Sequence, residues 1–199
     1  DQYFKSNNIS PHANVAMIFK TAFMLTLYFL PYAFILSSCA TGIYFWLCWG
    51  LMGFGLAGIG MSVMHDANHH SFSASKTTNR GVGYLSMIVL GGFALNWRIQ
   101  HNVIHHTYTN IPGHDEDIDP PSPLLRFEPA SKLYWFHKAQ WLYAWFLYGL
   151  MTLSWYLTKD FLQLRRYHKK GLLATEQKKF GVELFKLILN KILYTAFIL

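Results

Sequence analysis

Charge is what this sequence most lacks. Asp, Glu, Lys and Arg make up only 14% of its 199 residues, against 52% apolar and 18% aromatic. Soluble chains carry about 25% charged residues. A disordered chain would need still more charge and far fewer apolar side chains, so disorder is excluded. Cysteine is almost missing as well: Cys39 and Cys48 both lie in apolar sequence, which excludes a disulfide framework and paired-cysteine zinc spacing. Neither Glu-x-x-His nor His-Glu-x-x-His occurs. Those absences remove the carboxylate-rich di-iron bundle and the common zinc protease motif. The net charge of +7 is accompanied by no recognised nucleic-acid-binding motif, so a nucleic-acid partner is not expected.

The longest absence runs from Thr21 to Met64, 44 residues without Asp, Glu, Lys, Arg or His. A membrane-spanning helix needs about 20 apolar residues. The run therefore predicts a transmembrane hairpin over about 16–64: one helix over about 16–36, a turn at 37–42, and a second helix over about 42–64. A cleavable signal peptide has a single short apolar core, which this double span is not. Gly50, Gly53, Gly55, Gly58 and Gly60 recur along the second helix. They are expected to let helix backbones approach, because lipid provides no apolar drive for helices to associate. Lys5 and Lys20 precede the hairpin and Lys76, Arg80 and Arg98 follow it, while its turn is uncharged. The positive-inside tendency then places both ends of the hairpin in the cytoplasm.

Later apolar stretches are weaker. Residues 81–95 are too few to span and predict a re-entrant or interface-lying helix. Residues 139–158 are uncharged and rich in Trp and Tyr. They are read as an interfacial or membrane helix, because crossing there would export the following loop. That loop carries seven Lys and Arg residues between Lys159 and Lys179, against Asp160 and Glu176. Its basic face is expected to meet anionic lipid headgroups. Residues 182–199 read as the start of a further transmembrane helix.

Against this background the ten histidines stand out. His65, His69 and His70 form a His-x-x-x-His-His box, and His101, His105 and His106 repeat it 36 residues later. Two such triples arise by chance on the order of a few times in ten thousand chains. On an α-helix, positions i and i+4 share a face, while i+5 lies about 100° further round. Each box should thus aim two rings at one metal and the third ring elsewhere. Imidazole suits zinc, copper, iron and nickel alike. His12, His137 and His168 are expected to be ordinary solvated or hydrogen-bonded rings. His114 follows the second box and is left open.

The run His65-Asp66-Ala67-Asn68-His69-His70-Ser71-Phe72-Ser73, then Trp97, then His101-Asn102-Val103-Ile104-His105-His106-Thr107-Tyr108-Thr109-Asn110, then Gly113-His114-Asp115-Glu116-Asp117-Ile118-Asp119 strongly resembles the membrane fatty acid desaturases. The second box with its acidic tail is most similar to the front-end branch, which includes bacterial linoleoyl-CoA desaturase-like enzymes. The resemblance implies an all-α fold: an integral membrane helical domain with a cytosolic helical cap carrying the histidine boxes, here over about 65–138. It implies a multi-pass protein whose boxes face the cytoplasm. It also implies that His65, His69, His70, His101, His105 and His106 ligate two iron ions and form the catalytic centre. Such an enzyme uses O2 and two electrons to leave a cis double bond in an acyl-CoA or acyl-lipid. Ligating histidines usually donate their other N–H to a carboxylate, carbonyl or water, and Asp66, Asn68, Asn102, Asn110 and Asp115 are the candidates for that supporting role. Asp115, Glu116, Asp117 and Asp119 are otherwise read as a solvated loop, or as a surface that docks an electron donor or orients the cap.

Two departures from the family pattern stand out. No third box, His-x-x-His-His or Gln-x-x-His-His, follows residue 106. The chain is therefore expected to be a C-terminally truncated, N-terminal part of one desaturase domain, inactive alone. No His-Pro-Gly-Gly occurs either, so electrons are expected from an external ferredoxin or cytochrome b5-type donor. A membrane hydroxylase of fatty acids, sterols or alkanes would carry similar boxes. A non-redox membrane metal-binding or transport protein is the alternative from another class, although the uncharged run lacks the polar residues that would line a path.

Overall fold

The computed structural model describes residues 2–119 and 122–199. Among these residues the chain is helical and contains no strand. It forms two compact units, Asp1–Leu90 and Gly91–Leu199.

In the first unit, a short helix α1 (Gln2–Ser6) precedes α2 (Val15–Leu36). The Asn14 side chain caps α2 by accepting from the Met17 N–H at 3.0 Å. The predicted turn is present: Ser38 and Gly42 adopt positive φ at 58° and 55°, which reverses the chain within a few residues. Helix α3 (Ile43–Gly58) runs back along α2, then loosens into a π-helical stretch (Ile59–Met64) and re-forms as α4 (His65–Asn68). The helical run Ile43–Asn68 and α2 are the two described helices long and apolar enough to cross a membrane. Their outward faces agree, with Val15, Phe19, Trp46, Phe54 and Met61 all strongly exposed. Large exposed apolar surface of this kind suits a lipid environment.

The glycine expectation holds in part. A Cβ at Gly55 would lie 2.7 Å from the Tyr28 backbone nitrogen, so α2 and α3 touch backbone to backbone there. Gly58 accommodates the Met24 side chain, and Gly60 faces Leu90. Gly50 and Gly53 meet nothing within 4 Å among the described residues.

Helix α5 (Lys76–Val89) is capped by Ser75, whose hydroxyl accepts from the Thr78 N–H at 3.2 Å. It buries Asn79, Gly83, Ser86 and Met87, one face at helical spacing. The expected helix over residues 81–95 is not continuous: α5 ends at Val89 and Gly91 takes φ +73°.

The second unit opens with α6 (Ala94–Arg98), which passes through a π-helical stretch (Ile99–His105) into α7 (His106–Tyr108). Residues 139–158 do not form one helix either. A 3-10 turn (Trp135–Ala139) leads into α8 (Gln140–Gly149), α9 (Met151–Ser154) and a π-helical stretch (Trp155–Lys159). Then follow α10 (Asp160–Lys169), α11 (Leu172–Thr175) and α12 (Phe180–Ile198). Helix α12 covers the predicted further span, but it carries Glu183, Lys186 and Lys191 and does not match the apolarity of α2.

The core of this unit is Phe93, Leu95, Ile99, Ile104, Leu164, Tyr167, Leu173 and Leu187. It seats the helix bearing the second box against α10, α11 and α12. One buried polar knot joins the same elements. Lys191 Nζ donates to Asp160 at 2.5 Å and to the carbonyls of Gly91 and Trp155 at 2.8 and 2.9 Å. Asn96 Nδ2 donates to the Asp160 backbone carbonyl at 2.7 Å. The Lys191 ammonium and the Asp160 carboxylate taken from water in this knot thus find partners, which is the condition for burying them cheaply, while Asn96 Oδ1 is buried without one among the described residues.

Candidate metal centre

The first box begins where the π-helical stretch ends. π-Bulges shift the register of side chains and are frequent at functional sites. His65 and His69 lie one turn apart, with ring centroids 4.4 Å apart, as the spacing predicts. His70 departs from the helical expectation. It has φ +60° and is exposed, so its direction is set by a left-handed backbone and not by a 100° helical step.

The turn after His70 is closed by the Asp66 carbonyl, which accepts from Ser71 N, Ser71 Oγ and Phe72 N at 2.9, 3.0 and 3.2 Å. The Asp66 carboxylate lies 3.4 Å from His65 Nδ1. Asn68 is buried; it donates to the Met64 carbonyl at 3.1 Å and fills the space above Gly83, where a Cβ would come 2.7 Å from its Oδ1. Sequence reasoning missed Asn79. This buried side chain pairs with the Ser73 peptide in both directions, donating to its carbonyl at 2.6 Å and accepting from its N–H at 2.8 Å. It anchors the segment that leaves the box.

The second box lies in the π-helical stretch, and that changes its geometry. The wider π turn brings i+4 and i+5 both close to position i. His101 stacks on His105 with centroids 5.0 Å apart, and meets His106 edge-on at 5.0 Å. His105 and His106 are 5.7 Å apart. His106 thus lies beside the other two with its ring turned across them, and the side chains close enough to share an ion are His101, His105 and Asp117. Trp97 stacks under His101 at 4.5 Å.

Carboxylates complete the cluster. His105 Nδ1 contacts both oxygens of Asp115, at 3.0 and 2.9 Å. Asp115 also accepts from the backbone N–H groups of Asn110 and Asp117, at 2.8 and 3.0 Å. Burial alone would raise the Asp115 pKa, but the hydrogen bonds from Asn110, His105 and Asp117 outweigh it and hold the carboxyl below its ordinary value. The side chain thus favours its carboxylate form, which accepts an N–H from His105. Asn110 contributes through its backbone, at φ +61°.

His101 Nδ1 has the equivalent partner in Asp117 Oδ2 at 3.0 Å. Asp117 was expected in a solvated or docking loop; here it holds a ring of the box. Its position in an acidic run just after the box was the available signal. Asn102 lies within the same π-helical stretch.

Glu116 turns the other way, toward α10. It accepts from Arg166 Nη2 at 2.6 Å and from Tyr167 Oη at 2.7 Å. Burial and then Glu116 raise the Tyr167 pKa, so its hydroxyl stays a hydrogen-bond donor. Of the remaining histidines, the His137 ring is hydrogen-bonded to the Pro123 carbonyl at 2.8 Å and the exposed His168 stacks on Phe180, as expected, whereas His12 Nδ1 is buried without a hydrogen-bond partner among the described residues, contrary to expectation. His114 lies tilted against Tyr108 with centroids 5.2 Å apart.

This donor set fits a first-row transition metal. His101, His105 and Asp117 each offer a ligand atom within 4.8 Å of the others. With Nδ1 of both rings held by a carboxylate, Nε2 is the nitrogen through which a metal would be bound. Imidazole nitrogen accepts iron among other first-row metals.

Helices long enough to cross a membrane, together with histidines clustered so that they can hold a metal, define a helical membrane metalloprotein. The comparison of sequences names the family: a profile of the fatty acid desaturases matches residues 40–199, and the chain belongs to that family. It is 38% identical over 168 residues to the acyl-lipid (8-3)-desaturase of Physcomitrium patens, covering 81% of this chain and 34% of that one. It is 32% identical over 197 residues to the sn-1 linoleoyl-lipid 6-desaturase of Arthrospira platensis, covering 94% of this chain and 53% of that one. A Synechocystis enzyme of the same name is 31% identical over 170 residues, covering 84% and 47%. The chain therefore spans between a third and about half of the length of these relatives. No solved structure matches it.

Proposed function

We propose that this chain carries the two-box part of a desaturase that acts on acyl chains esterified in membrane lipid. Its reaction removes two hydrogens from adjacent methylenes and leaves a cis double bond. The observation that carries the reading is the pair of carboxylate–histidine contacts, His105 with Asp115 and His101 with Asp117. Carboxylate-oriented imidazoles in a chain that also has helices able to cross a membrane suit redox chemistry on a substrate that stays in the bilayer. The acyl-lipid assignment follows the names of the relatives.

In this reading His65, His69, His70, His101, His105 and His106 hold two iron ions. When bound, the irons supply the electron transfers by which O2 becomes able to take hydrogen from an unactivated methylene. The chain's own residues have narrower tasks. Asp115 and Asp117 keep the Nδ1 proton on His105 and His101, which leaves Nε2 as the donor atom. Asn79 and the Asp66 carbonyl fix the turn that presents His70. Trp97 covers one face of His101 and shields it from water. Two electrons come from an external ferredoxin or cytochrome b5-type donor. The positive flanks of the hairpin support a cytoplasmic location for both boxes.

The test is expression of the full-length protein in a host of defined lipid composition, with acyl products resolved by mass. A loss of two hydrogens, abolished by His105→Ala, supports the reading. A gain of one oxygen, or no product with iron fully loaded and a donor supplied, overturns it.

A further inference from the structure

Helix α10 bears a polar row whose function the packing of the unit does not explain. Tyr167 and Gln163 are both buried on it, at 0% and 3% exposure. Tyr167 belongs to the apolar core, yet its hydroxyl sits at the edge of that core among polar groups. Phenylalanine and leucine would pack equally well at these two positions, without polar atoms that must be satisfied.

The polar atoms form one continuous series that ends on the second box. Gln163 Nε2 donates to Gln100 Oε1, and Tyr167 Oη lies 3.2 Å from the same nitrogen. Gln100 Nε2 in turn donates to Asp117 Oδ1 at 2.5 Å. The other Asp117 oxygen holds His101 Nδ1 at 3.0 Å. At the far end Tyr167 Oη donates to Glu116, which is also gripped by Arg166.

Donor and acceptor roles are determined at every step. The Tyr167 hydroxyl gives its one proton to Glu116, so toward Gln163 it can only accept. Gln163 must therefore present its amide NH2 group, one hydrogen to Tyr167 and one to Gln100. Gln100 then turns its carbonyl toward Gln163 and its NH2 group toward Asp117. Asp117, with one oxygen occupied by Gln100, presents the other to His101. An inverted amide anywhere in the row would set oxygen against oxygen.

We propose that Gln163 and Tyr167 are positioning residues for His101, acting through Gln100 and Asp117. The inference rests on the reading of the second box as a metal centre. The row ties two neighbouring residues of the acidic loop, Glu116 and Asp117, to one helix, and so sets the direction in which the Asp117 carboxylate faces the ring. Metal would still bind without it, but to a ring free to turn and to exchange its tautomer.

The experiment uses the full-length protein purified with iron. Iron content and the rate of iron release to an excess of chelator are measured for Tyr167→Phe, Gln163→Leu, Asp117→Asn and His101→Ala. Tyr167→Phe preserves the buried ring and removes only the hydroxyl. Groups that support a ligand commonly alter metal affinity by 10–100-fold. Tyr167 and Gln163 act at one further remove, so release should accelerate by about 3–10-fold, with thermal unfolding of the metal-free protein unchanged for Tyr167→Phe.

In an Asp117→Asn background, Tyr167→Phe and Gln163→Leu should have no further effect, since the route has been cut. Release indistinguishable from the parent protein in Tyr167→Phe overturns the proposal, as does an effect undiminished by Asp117→Asn. Should Gln163→Leu fail to fold, Tyr167→Phe decides alone. If His101→Ala itself leaves iron content and release unchanged, it is the metal-centre reading that falls.

Discussion

His105 Nδ1 lies 2.9 Å from Asp115 Oδ2, and that carboxylate is completely buried. Its remaining hydrogen bonds come from the backbone of the loop it belongs to, so the loop and the ring are locked by a single side chain. An unsupported buried carboxylate would cost several kcal/mol. Here three donors satisfy it, and it in turn keeps a proton on one named nitrogen of His105.

Asp115→Asn is therefore expected to be costly despite its small change in shape. The amide has one acceptor oxygen where the carboxylate has two, and its NH2 group would face N–H donors. Iron affinity of the full-length protein should fall by about 10–100-fold. Iron content after dialysis against a graded chelator series measures this, and full retention would show that His105 needs no oriented partner.

Asn79→Ala removes both hydrogen bonds to the Ser73 peptide. The loss should destabilise the protein by about 1–3 kcal/mol, because the peptide groups left behind are partly shielded from water. Proteolysis should then accelerate at residues 70–75 before it does elsewhere. Unchanged cleavage there would mean that the first box is anchored by the Asp66 carbonyl alone.

Gly55→Ala places a methyl group 2.7 Å from the Tyr28 backbone nitrogen. Backbone cannot yield as a side-chain tip can, so the α2–α3 hairpin must separate, at a cost of about 1–3 kcal/mol. Gly53→Ala meets nothing within 4 Å. It should be neutral, or stabilising by up to about 1 kcal/mol through helix propensity. Melting temperatures in one detergent compare the pair, and equal losses would refute the assigned packing face.

Lys191→Met strips the partner from buried Asp160. Burial already pushes the Asp160 carboxyl above its ordinary pKa, against the pull of Lys191. Loss of the lysine should cost about 3–5 kcal/mol, the usual penalty for an unpaired buried charge. The double variant Lys191→Met with Asp160→Asn should recover part of that loss in thermal unfolding. No recovery would mean that the contacts of Lys191 with the Gly91 and Trp155 carbonyls carry the stability.

The hairpin and the first box were legible because each is local. An uncharged run long enough for two spans permits few structures, and i, i+4 spacing on a helix needs no distant partner. The turn at 37–42 and the pairing of His65 with His69 follow the same logic. The 81–95 and 139–158 segments were not legible as continuous helices, since apolar composition does not reveal where a helix breaks. Gly91 with positive φ and the interruption after Gly149 are set by what packs around them.

By itself the sequence determined a helical membrane protein with paired histidine boxes of desaturase type, since composition and short-range spacing suffice for both. Only the tertiary structure decided that His101 and His105 lie in a π-helical stretch, with His106 edge-on to both. It alone assigned Asp117 to His101, and it joined Gln163 and Tyr167 to that pair across more than 60 residues of chain. The physical reason is that a buried polar atom must find a partner wherever the fold places one, and the partner's distance along the sequence does not affect the energy of the bond.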